Sequence, residues 1–123
     1  MRKYKLLENV ITYRGLSVKK IMICEIKPTL SALLYFYETN EDGFASDSQN
    51  FVSIEQAELY CEGLGIGNSE WIEIADSMDY CNLDWIAPVR RKGRNIGEYY
   101  GDGVWEKFDG TNWIEFNHID TDE

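Results

Sequence analysis

Up to Tyr37 the chain consists of three runs rich in β-branched and aromatic residues, Tyr4–Tyr13, Val18–Ile26 and Leu30–Tyr37. Arg14-Gly15-Leu16-Ser17 separates the first two, and Pro28 ends the second, because proline cannot donate to a strand ladder. Gaps this short admit antiparallel neighbours, since parallel strands need a crossover of a dozen or more residues. A three-stranded meander is therefore expected. Within Val18–Ile26, Ile21 and Ile23 point one way and Met22, Cys24 and Ile26 the other, so its second half should be covered on both faces. The continuous apolar run Leu30–Tyr37 suggests the central strand.

Glu38–Gln49 is polar and carries Gly and Asp, the composition of a loop. A helix follows, opened by Ser53 as N-cap with Gln56 three residues on. Ile54, Ala57, Tyr60, Cys61 and Leu64 recur at helical spacing as its buried stripe, and Gly63 and Gly65 close it. Trp71–Ala75 predicts a further strand. Val104–Phe108 and Trp113–Phe116 flank Asp109-Gly110-Thr111-Asn112 and predict a hairpin in which Trp105 and Trp113 meet. Asp76–Gly103 is long enough to be functional or to hide a short element. The expected fold is α+β, a mainly antiparallel sheet of five or six strands with one helix packed on a face. At 123 residues a single domain 1–123 is expected, with 117–123 a frayed acidic tail.

Charge is distributed unevenly along this frame. Between Pro28 and Val89 there is no Lys or Arg, while twelve Asp and Glu residues fall in that span, against a net charge of -10 for the whole chain. Arg90-Arg91-Lys92-Gly93-Arg94 then adds a basic cluster. A net negative chain is a poor partner for nucleic acid or for an anionic membrane, both polyanions, and no apolar stretch approaches a membrane span. The expected partner is a basic protein. The basic cluster either pairs internally with neighbouring carboxylates, the simpler role, or binds a phosphate-like ligand. Met1–Glu8 has no signal-peptide pattern, and Cys24, Cys61 and Cys81 form no close pair, so a cytoplasmic location is expected.

No catalytic, metal or cofactor signature emerges. His118 is the one histidine and lies near the end, which leaves little for a Ser-His-Asp or Cys-His site. There is no C-x-x-C or H-x-x-x-H, and Gly63-x-Gly65-x-Gly67 follows a helix rather than a strand. Abundant carboxylates leave open a paired-carboxylate enzyme without pointing to any pair.

Two sets of acidic residues are candidates for partner binding. Glu55, Glu58 and Glu62 share the outer face of the helix, as either a solvated face or a docking surface. Asp76, Asp79, Tyr80, Asp84 and Trp85 combine carboxylates with aromatic anchors, Trp85 being either a core residue or an interface one.

The string Cys81-Asn82-Leu83-Asp84-Trp85-Ile86-Ala87-Pro88-Val89-Arg90-Arg91-Lys92-Gly93-Arg94, with Trp105-Glu106 and Trp113 after it, resembles small bacterial proteins of no assigned activity. In size, acidity, aromatic content and lack of catalytic motifs the chain also resembles the immunity proteins of contact-dependent growth inhibition systems. That second resemblance implies a cytoplasmic protein that binds and neutralises a basic toxin domain, such as a nuclease, by protein–protein contact. An acidic accessory protein or polyanion mimic, occupying a nucleic-acid-binding partner, is the neighbouring alternative.

Overall fold

The computed structural model describes residues 1–100 and 103–117. They form two compact units, Met1–Asp76 and a second beginning at Ser77. The fold is α+β and mainly antiparallel sheet, with one α-helix among the described residues.

The first unit is a five-stranded sheet of β1 (Arg2–Tyr13), β2 (Leu16–Ile26), β3 (Ser31–Tyr37), β4 (Asp47–Phe51) and β5 (Ile72–Ile74), in the order β4-β3-β2-β1-β5. All neighbours are antiparallel. The centre of the sheet is therefore β2, not Leu30–Tyr37, because β1 gains β5 as an outer neighbour just as β3 gains a strand beyond Tyr37. That strand is β4, which starts inside the stretch expected to be loop. Its sequence Asp-Ser-Gln-Asn-Phe lacks apolar alternation because an edge strand has one neighbour and faces water along the other side. The double burial expected of β2 is present: Ile21, Met22, Ile23 and Cys24 are all fully buried.

Helix α1 (Ile54–Gly63) lies on the face of Ile21, Ile23, Ala32, Leu34 and Phe36, which it covers with Ala57 and Cys61. Tyr13 stacks on Phe36 at 3.8 Å between ring centroids, and its hydroxyl donates to Gln49 Oε1 at 2.6 Å. Ser53 Oγ caps α1 by accepting from the Gln56 N–H at 3.2 Å. At the other end the Ile66 N–H donates to Cys61 O at 2.9 Å and the Gly65 N–H to Glu62 O at 3.0 Å. Gly65 turns the chain at φ 85°, the left-handed residue of this pattern, whereas Gly63 is simply the last helical residue.

The second unit holds a three-stranded antiparallel sheet of β6 (Val89–Arg91), β7 (Val104–Phe108) and β8 (Trp113–Asn117), in that order. The long stretch after Asp76 thus conceals a short strand, β6, and a 3-10 turn at Arg94–Ile96. The hairpin turn is built by Asp109, whose carboxylate accepts from the N–H groups of Thr111 and Asn112 at 2.8 and 2.7 Å. Its register opposes Phe108 to Trp113 and Trp105 to Phe116. The two tryptophans therefore lie on opposite faces and do not meet, since their offset from the turn differs in parity. Asn117, assigned to the acidic tail, closes β8; His118 and the rest of that tail lie outside the described residues.

Candidate partner-binding surface

The three glutamates of α1 divide. Glu58 Oε2 accepts from Lys3 Nζ at 2.8 Å, with side chains 18% and 14% exposed, and that ammonium also lies 4.8 Å from the Trp71 ring centroid. This carboxylate is a tie between α1 and β1 and is not offered to a partner. Glu55 and Glu62 are exposed and form no ion pair among the described residues.

Between them stands Leu59, 60% exposed, and just ahead of the helix Val52 is 79% exposed. The spacing Glu55, Leu59, Glu62 follows one side of the helix. The result is an apolar centre with carboxylates on its rim, the anatomy of a protein-binding patch. Leu59 and Val52 are not among the residues that helical spacing singles out, because that spacing picks out the buried stripe. The available signal was their position off that stripe: an apolar residue at neither core spacing nor a turn has no internal partner.

The second candidate set is only partly presented. Asp76 closes the first unit, where its carboxylate meets the Met1 amino group at 2.8 Å, a contact that holds its pKa below the ordinary carboxylate range. Asp84 is half-buried and engaged within the protein. Trp85 is 9% exposed and packs 5.9 Å from Phe116, with Lys107 Nζ 5.5 Å from its ring, so its role is that of a core residue. Asp79 and Tyr80 remain exposed beside Met78. Tyr80 holds φ 67°, a conformation that costs a non-glycine residue energy and presents its ring to solvent.

The basic cluster is absorbed largely by the three-stranded sheet. Arg90 Nε donates to Glu106 Oε1 at 2.7 Å, directly across the β6–β7 ladder, and its guanidinium lies 3.7 Å from the Trp113 ring. Lys92 Nζ donates to Glu115 Oε2 at 2.5 Å, and Arg91 lies over the rings of Tyr99 and Trp105. The expectation of internal pairing holds for Arg90 and Lys92.

Cations are withdrawn from the surface elsewhere too. The buried charged residues among those described are Arg2, Lys5 and Lys20, all positive. Lys20 Nζ donates to Glu41 O at 2.7 Å and sits 4.3 Å from the Tyr37 ring; burial lowers its pKa, against the opposing pull of Asp42. What a partner touches is thus more acidic than the composition alone implies. Among the described residues no group of His, Cys, Asp and Glu is arranged to hold a metal ion, and no helix is long and apolar enough to cross a membrane. Compared with known proteins, the chain matches no family model, no curated protein and no solved structure.

Proposed function

We propose that this is an immunity protein, which acts in the cytoplasm by binding a basic toxin domain, a nuclease, and covering its substrate groove. The observation that carries the reading is the outer face of α1, where exposed Leu59, with exposed Val52 just ahead of the helix, is flanked by the carboxylates of Glu55 and Glu62, which form no ion pair among the described residues. A domain that acts on RNA or DNA is positively charged around its substrate. Facing carboxylates speed the encounter, and the apolar centre supplies the desolvated anchor that slows escape. The acidic turn at Asp79 and Tyr80 offers a second contact of the same chemistry.

Genetic neighbourhood gives the quickest test. The product of the gene directly upstream, expressed alone, should arrest growth, and co-expression of this chain should restore it. A harmless neighbour that forms no complex with the chain contradicts the proposal.

A further inference from the structure

Strand β1 leaves register with β2 midway: Leu6 faces Lys20 and Ile11 faces Val18, so Leu7–Val10 stand against Lys19 alone. Such bulges re-aim side chains and recur beside functional sites. Here the bulge and the segment after α1 line a cleft of about 320 Å³, with Lys5, Glu8, Asn9, Gly67 and Glu70 among its walls. The volume is that of a small-molecule site. Glu70 holds φ 64°, a strained conformation for a residue with a side chain.

Lys5 is 9% exposed, and its Nζ donates to Gly67 O at 2.8 Å. An ammonium carries three donors, and among the described residues this one has no carboxylate in ion-pair reach. A buried charge without a counter-ion is costly, so the cleft floor calls for an anion. Its rim calls for the opposite. Glu8 and Glu70 are exposed and form no ion pair among the described residues, and they would repel a simple anion on its way in. A ligand that satisfies both carries a carboxylate and a cation a few bonds apart. Leu7, Ile11 and Ile66 leave an apolar wall for the rest of it.

We propose that this cleft binds a free α-amino acid, its carboxylate on Lys5 Nζ and its ammonium between Glu8 and Glu70. The site is separate from the outer face of α1 and does not depend on the immunity reading.

The test is a titration of the isotopically labelled protein with a panel of the natural α-amino acids, followed by amide shifts. At least one should shift Asn9 and Gly65–Gly67 saturably. Acetate and ethylammonium, which each carry half of the recognised group, should bind about tenfold more weakly or worse, as loss of a charge-assisted contact implies. Lys5→Met should abolish the shifts, and Glu8→Gln with Glu70→Gln should weaken binding about tenfold. No saturable shift with any amino acid overturns the proposal, as does acetate binding equally well. Should Lys5→Met fail to fold, the exposed double variant decides: unchanged amino-acid affinity there also overturns it.

Discussion

Glu58→Lys should destabilise the protein by about 3 kcal/mol, whereas Glu62→Lys, one helical turn further on, should stabilise it by a few tenths. The first change removes the acceptor of Lys3 and sets a second ammonium against it, in a place where the paired side chains are only 18% and 14% exposed. Breaking a buried pair costs about 3–5 kcal/mol, and the residual exposure of this one puts it at the low end. At Glu62 the balance reverses. It lies in the last turn of α1, where the carbonyl ends of the helix favour a cation and none is present. Its repulsion of Glu58 is already damped, because Lys3 neutralises that carboxylate, so the helix dipole supplies most of the gain. Urea unfolding of both variants gives the comparison; two small effects of equal size would mean that the Lys3–Glu58 tie does not hold the helix to the sheet.

Stability should fall by about 2–3 kcal/mol as pH rises from 9 to 11. Burial in the core under α1 pushes the Cys61 thiol up to about 11 from its ordinary 9.0, with the Glu58 charge adding to the effect and Lys3 and Lys5 opposing it. In the unfolded chain the thiol ionises near 9, so the unfolded state loses its proton first. The stabilising contribution is complete below pH 9 and is lost through the window up to about 11, at about 1.4 kcal/mol per unit. Tyr13, whose pKa burial also raises, adds to the loss above pH 10. Lys20 works against it: burial lowers its folded pKa, so that stability is regained as pH climbs toward 10.5. Comparing the wild type with Cys61→Ala isolates the thiol. The variant should lose distinctly less stability between pH 9 and 11, and parallel curves would contradict the assignment.

The same raised pKa marks Cys61 as a protonated packing residue, since the thiolate is the reactive form. This fits its place in the core cluster with Ala57 and Ile66.

Local features of the fold were legible where side-chain period and punctuation agree. The meander, the capped helix and the Asp109 hairpin all carry such marks, and each stands close to its expected place. β4 and β6 were not legible. β4 is a polar edge, and β6 is three residues long within a stretch whose order comes from partners distant in sequence. Register was equally hidden: Phe108, not Trp105, is the residue opposite Trp113, and a shift of one position would move a side chain to the other face.

The candidate surface shows the same division. Helical spacing placed Glu55, Glu58 and Glu62 on one side of α1, yet nothing in it says that Lys3, more than fifty residues earlier, takes Glu58 out of that set. Trp85 required the contacts around it before its core role was visible.

Stopped-flow association with the basic partner, at two ionic strengths, tests the central claim most directly. Glu55→Gln with Glu62→Gln should slow association and flatten its salt dependence, because fewer charges steer the encounter. Leu59→Ala should leave association nearly unchanged and speed dissociation at least tenfold, as expected when a central anchor worth about 2 kcal/mol is truncated. All three positions are exposed, so none of these changes should disturb folding. Wild-type association rate, salt slope and dissociation rate in both variants would contradict the account and remove the outer face of α1 as the binding surface.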